Sequence, residues 1–208
     1  MGLTVEKVQL GRCNATAFDQ QGERWAIVLP GAGYSAQAPL LWFARRAALQ
    51  AGHNAVVVTD VFDRESDDPL RWVQERTEAT LGWVSPKDPQ PLLIAKSLTS
   101  LAAGVAAAER LPAVWFTPLI AEPQILAGLR AGTEPKLLIG GSEDPSWDAT
   151  AAETLPNADV LELAGADHSL EAPNDVAESL ENLRRATEAV RAFVARISAG
   201  RGEPKGQA

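Results

Sequence analysis

From Trp25 onward the chain repeats one unit: a short apolar run, a turn, then a segment with helical spacing. Residues 25–29 and 92–95, and the Ala-Val-Val-Val centre of 54–59, are apolar at successive positions, so strands formed there are buried on both faces. Residues 113–117, 136–139 and 159–163 read as further strands of the series. Between them lie helical segments at residues 38–50, 68–83, 97–110, 122–130, 146–154 and 175–197. A strand buried on both faces needs cover above and below, and alternating helices supply it. The pattern predicts a three-layer α/β/α fold with a mostly parallel sheet. Ahead of the series, residues 5–10 and 15–18 flank Gly11 and read as an opening hairpin.

No linker divides the chain, so residues 1–198 are expected to form one domain and residues 199–208 a flexible polar tail. The 208 residues carry 46% hydrophobic and 22% charged side chains, which excludes an intrinsically disordered chain. Nineteen Lys and Arg against 27 Asp and Glu give a net charge of −8, which argues against a nucleic-acid partner. A single cysteine, Cys13, cannot form an internal disulfide and fits a reducing compartment. The first residues lack the apolar core of a signal peptide. The uncharged stretch 25–44 is broken by Pro30, Gly31, Gly33 and Pro39, so no membrane span is expected and a cytoplasmic location is. Neither histidine lies in a pattern with metal spacing, and no metal or cofactor is expected.

The chemistry concentrates at strand carboxyl ends. Leu92-Leu93-Ile94-Ala95-Lys96-Ser97-Leu98-Thr99 is a buried strand running straight into a helix, with a serine at the turn. Such a serine stands over free helix N–H groups, which favour charge developing in a transition state. Ser97 also reads as a helix cap when taken alone. Gly141-Ser142-Glu143-Asp144 follows a later strand, and Ala166-Asp167-His168-Ser169 follows the next. Ligands gather at such edges in open α/β sheets.

These segments resemble the α/β-hydrolase superfamily, and in particular its small lidless branch, similar to dienelactone hydrolase. Members of that branch often read G-K-S-L-G, G-x-x-D and A-D-H-S in this order. The chain matches the last two and departs at both glycines of the first, where it carries Ala95 and Thr99. The resemblance implies an α/β-hydrolase fold without a cap domain, since one short helix separates the strand at 113–117 from the next. It implies a serine esterase or thioesterase acting on a small-molecule substrate, with Ser97 as nucleophile, His168 as base and acid, and Asp144 as orienting carboxylate. Asp148 and Asp167 compete with Asp144 for that last role. The oxyanion hole would use the N–H groups of Ala32 and Leu98. Thr99 is bulkier than glycine and is expected to crowd and slightly open the turn. An inactive hydrolase scaffold used for interaction is the alternative, and a homodimer is left open.

A rival motif shares the first loop. Gly31-Ala32-Gly33-Tyr34-Ser35-Ala36 fits a dinucleotide fingerprint, with Asp60 placed to hold a ribose. Tyr34, Leu119 and Trp147 lie at strand ends and are candidate substrate-binding residues. Lys96 reads as a solvated lysine, or as one steering an anionic substrate. Trp25 and Trp115 read as core aromatics, Cys13 as an inert thiol, and His53 as having no motif around it.

Overall fold

The computed structural model describes residues 2–200. Strands β1 (Thr4–Leu10), β2 (Cys13–Asp19), β3 (Trp25–Leu29), β4 (Asn54–Val58), β5 (Leu92–Lys96), β6 (Ala113–Phe116), β7 (Lys136–Gly141) and β8 (Ala158–Leu163) form one sheet. Their order is β1-β2-β4-β3-β5-β6-β7-β8. The hairpin β1–β2 and the β2–β4 pair are antiparallel, and every pair from β4 to β8 is parallel. The protein thus has the expected three layers, with the opening hairpin extending one edge.

Alternation along the strands divides the core in two. Trp25, Ile27 and Leu29 of β3, with Leu93 and Ala95 of β5, face one side. They pack on α2 (Pro69–Val84), α3 (Ala103–Ala108), α4 (Pro123–Ala131) and α5 (Ala149–Glu153). Ala26, Val28, Leu92 and Ile94 face the other side, against α1 (Pro39–Gln50) and α6 (Val176–Gly200). Each buried aliphatic side chain stabilises by about 1.5–3 kcal/mol, and a strand carrying them at every position is pinned between both helix layers.

Local chemistry sets the helix boundaries. Asp68 caps α2, its carboxylate accepting from the N–H of Arg71 at 2.8 Å, with Pro69 in the first turn. The segment expected as one helix from Ser97 opens instead as a 3₁₀ turn, Ser97–Ala102, and becomes α-helical only at Ala103. The helix expected over 146–154 shortens to α5. Asp144 takes the N–H of Ser146 and Asp148 that of Ala151, so the residues between make a turn. Helix α6 runs through Gly200, so residues 199 and 200 end a helix rather than begin a tail; the rest of the expected tail, 201–208, lies outside the described residues. Between β6 and β7 the chain forms only turns and α4, which leaves the carboxyl edge of the sheet without a cap domain.

Two glycines let that edge close. A Cβ on Gly140 would lie 2.1 Å from the ring of Trp147, and one on Gly141 would lie 2.1 Å from the carbonyl oxygen of Ala166. Gly141 therefore permits the loop after β8 to lie against the end of β7, and Ala166 cannot yield because the obstacle is backbone. Gly141→Ala is expected to destabilise the fold by about 2–3 kcal/mol, as overpacking does. Gly82→Ala, inside α2 with open space around it, is expected to stabilise by about 0.5–1 kcal/mol. Urea unfolding of both variants measures the contrast.

Candidate active site

Strand β5 delivers Ser97 to the carboxyl edge in a conformation that few non-glycine residues adopt. Lys96 is extended at φ −133°, and Ser97 turns to φ +53° as the first residue of the 3₁₀ turn. Ser97 is therefore not a capping serine. The sharp reversal lifts its side chain off the sheet, the geometry of a nucleophile elbow.

Thr99 holds this turn together, where the sequence suggested crowding. Its Oγ1 accepts from the N–H of Lys96 at 3.0 Å. The same hydroxyl lies 3.2 Å from the carbonyl of Leu29 and 3.0 Å from that of Lys96, and its proton can serve either. Thr99 is thus a buried brace between β5 and the end of β3. Ser100 adds a second brace: its hydroxyl donates to the carbonyl of Ser97 at 2.6 Å and accepts from the N–H of Leu119 at 3.1 Å. Glycine at position 99 would supply neither of the bonds that Thr99 makes.

The loop after β3 closes on the elbow. The Gly31 N–H donates to the carbonyl of Tyr34 at 3.1 Å, and the Tyr34 N–H returns a bond to Gly31 at 3.3 Å. A Cβ on Gly31 would stand 3.2 Å from the carbonyl oxygen of Lys96 and 3.4 Å from Cβ of Ser97. The loop backbone therefore runs directly beside the serine. Leu98, second residue of the 3₁₀ turn, has no carbonyl upstream in that turn to receive its N–H.

Asp144 and His168 complete the line. Asp144 Oδ2 lies 2.7 Å from His168 Nδ1, and His168 Nε2 lies 2.7 Å from Ser97 Oγ. A carboxylate only accepts, so Nδ1 carries the proton and Nε2 is free to accept from the serine hydroxyl. The Asp144 carboxylate is almost wholly buried at 1% exposure, whereas the His168 ring is 38% exposed. The competitors are engaged elsewhere: Asp148 caps α5, and Asp167 Oδ1 accepts from the N–H groups of Ser169 and Glu171.

The remaining candidates separate. Tyr34 presents its ring to Lys96 and accepts from the N–H of Leu40 through its hydroxyl at 3.0 Å. Leu119 packs against the core beside the elbow. Trp147 lies across Gly140 and donates its indole N–H to Glu162 at 2.8 Å, so its contacts are with β7 and β8. The dinucleotide reading loses its acid, because Asp60 accepts from Asn14 and Arg76. It also loses its helix: α1 begins only at Pro39, which has no N–H to offer a phosphate. Cys13 is buried, and desolvation pushes its thiol up to about 12, which disfavours the thiolate.

Lys96 departs most from its sequence reading. It is neither solvated nor facing a substrate, but 1% exposed. Its Nζ donates to the Thr117 hydroxyl at 2.8 Å and to the carbonyl oxygen of His168 at 2.9 Å, and lies 4.6 Å from the centre of the Tyr34 ring. Burial pushes the ammonium down to about 8, against the opposing pull of Asp144 and Asp167.

No family model and no curated protein matches the sequence. Solved structures do. Est1E from Butyrivibrio proteoclasticus superposes with a TM-score of 0.74 at 12% identity, covering 94% of this chain and 99% of that one. An α/β serine hydrolase without a lid from Xanthomonas campestris gives a TM-score of 0.70 at 16% identity, covering 94% of each chain. Dienelactone hydrolase from Anabaena variabilis gives 0.66 at 16% identity, covering 90% of this chain and 95% of that one. The fold is that of a lidless α/β-hydrolase. In this hydrolase fold Ser97 occupies the nucleophile elbow, linked to His168 and through it to Asp144. Among the described residues no helix is long and apolar enough to cross a membrane.

Two outcomes follow for stability. Thr99→Val keeps the shape but strands the buried Lys96 N–H, and is expected to cost about 1–3 kcal/mol in urea unfolding. For Lys96 the unfolded chain binds the proton more tightly, with a value of 10.5 against about 8 when folded. Between those values the unfolded state holds more protons, so stability rises with pH there. The stability difference between wild type and Lys96→Met should therefore shift in favour of wild type from pH 8 to pH 10.5.

Proposed function

We propose that this protein is a serine hydrolase that cleaves a carboxylic ester or thioester of a small substrate through an acyl-enzyme. The observation that carries the reading is the continuous line from Ser97 Oγ to His168 Nε2 and from His168 Nδ1 to Asp144, with both separations 2.7 Å. Ser97 Oγ attacks the substrate carbonyl carbon as its proton passes to Nε2. Asp144 stabilises the imidazolium that forms. The carbonyl oxygen becomes an oxyanion, which accepts from the N–H groups of Ala32 and Leu98. Collapse expels the alcohol or thiol, which takes the proton from Nε2 and leaves Ser97 acylated. A water molecule then repeats the sequence and releases the carboxylic acid.

The close approach of Gly31 to Ser97 supports Ala32 as a donor, and the place of Leu98 in the 3₁₀ turn supports the other. Tyr34 and Leu119 flank the serine from the loops after β3 and β6, and we assign them to substrate contact. The site is open, because α4 is the only helix between β6 and β7. A structure of Est1E has ferulic acid bound. That likeness supports a small carboxylic acid as the acyl half of the substrate.

Hydrolysis of p-nitrophenyl acetate and of an acetyl thioester tests the reading. Wild type should turn over at least one of them, and Ser97→Ala should fall to background. Ser142→Ala and Ser169→Ala, which change nearby serines outside the line, should stay within a few fold of wild type. Asp144→Asn should fold and lose about 10³–10⁴ in kcat, because an amide no longer holds the ring in the required tautomer. A folded wild-type protein inert towards both esters would favour the scaffold alternative.

A further inference from the structure

Lys96 is used by nothing in the proposed reaction, yet it is buried, charged and in contact with the histidine. Its strand neighbours Leu92 and Ile94 lie in the core layer under α1 and α6, and Lys96 continues that face to the edge of the sheet. There its ammonium meets three acceptors: the hydroxyl of Thr117, the carbonyl oxygen of His168 and the ring face of Tyr34. An ammonium has three N–H donors, so each is matched. Thr117 follows β6 and His168 follows β8, so one side chain of β5 ties together loops that leave three different strands. Thr117 is fully buried at φ +39°, a conformation a β-branched residue adopts only when its surroundings enforce it. Its backbone N–H is also held, by the carbonyl of Ile139 at 2.7 Å.

We propose that Lys96 is a positioning residue: it grips the main chain of His168 while Ser97, the next residue, faces the ring of the same histidine. The gap between Ser97 Oγ and His168 Nε2 is then closed from both ends by adjacent residues of one strand and turn. Asp144 fixes the rotation of the imidazole through Nδ1, and Lys96 fixes where the ring's backbone stands. Burial makes the grip pH-sensitive. Loss of the ammonium proton near pH 8 leaves two N–H donors for the same three acceptors. The groups facing Lys96 are Tyr34 from the loop after β3, Thr117 after β6, Asp144 after β7, and Asp167 and His168 after β8. The two carboxylates favour the ammonium, and burial opposes it more strongly.

This inference rests on the hydrolase reading for its kinetic arm and stands apart from it in a spectroscopic one. In the kinetic arm, kcat and KM for p-nitrophenyl acetate are measured from pH 6 to 9.5. Wild type should show a falling limb in kcat with a midpoint near 8. Lys96→Met should lose at least tenfold in kcat with KM within about twofold, and should lose that limb. Thr117→Val, which removes one acceptor and keeps the packing, should lower kcat about threefold and serves if Lys96→Met does not fold. In the spectroscopic arm, the His168 ring is followed by ¹⁵N NMR in protein carrying His53→Gln. Wild type should give one sharp tautomer, and Lys96→Met or Thr117→Val a broadened or averaged ring. Wild-type kcat and an unaltered pH profile in Lys96→Met, or an unchanged His168 ring spectrum, would overturn the proposal. A wild type inert towards the ester but showing the predicted ring spectra would remove the hydrolase reading and leave the grip standing.

Discussion

The site depends on a backbone reversal at Ser97. A left-handed conformation costs a non-glycine residue about 1–2 kcal/mol, and here it falls on a serine at the end of a fully buried strand. Release of that turn would relax the chain into an ordinary helix start and swing the hydroxyl away. The surrounding bonds resist the release. Thr99 ties the N–H of Lys96 into the turn and bonds the end of β3, and Ser100 ties the carbonyl of Ser97 to the loop after β6. Core packing on both faces of β5 anchors the strand beneath.

A second condition is that loops from separate strands meet at one point. Parallel strands place their carboxyl ends along one edge, but an edge is a line and the constellation needs a cluster. Close backbone approaches gather it. Gly31 brings the loop after β3 against Lys96 and Ser97, and Gly141 brings the loop after β8 against the end of β7. Bonds from Ser142 to Leu163 and from Glu143 to Ala166 then lace the last two loops together. The burial of the Asp144 carboxylate and the exposure of the His168 ring follow from this layering. The acid lies beneath, and the imidazole lies above it, open to solvent.

The three layers were legible because β3 and the central runs of β4 and β5 are apolar at successive positions, and only a sheet covered on both sides uses such strands. That Ser97, Asp144 and His168 would meet at one edge was legible because each follows a strand, and their order matches the resemblance to the lidless hydrolases. Asp144 was preferred over Asp148 and Asp167 from the G-x-x-D match, and the structure adds that the latter two are engaged as caps and turns. Thr99 and Lys96 were misread for a common reason. Sequence reports the size and charge of a side chain, but not the partners that loops distant in the chain bring to it. A threonine that looks too large for its place is a brace once the carbonyl of Leu29 is beside it. A lysine that looks solvated is a buried tie once Thr117 and His168 close over it. The seat of Trp147 was also not legible, since nothing local shows that Gly140 leaves a slot for its ring.

The proposed hydrolysis requires Ser97 to be an activated nucleophile. Incubation of the protein with a fluorophosphonate, followed by peptide mapping of the adduct, tests it most directly, because only a serine whose proton is taken by a neighbouring base displaces the fluoride at a useful rate. The account predicts one phosphonylated peptide, with the adduct on Ser97, and no adduct once His168 is replaced by glutamine. An adduct on Ser142, Ser169 or any other serine with Ser97 left unmodified would contradict it.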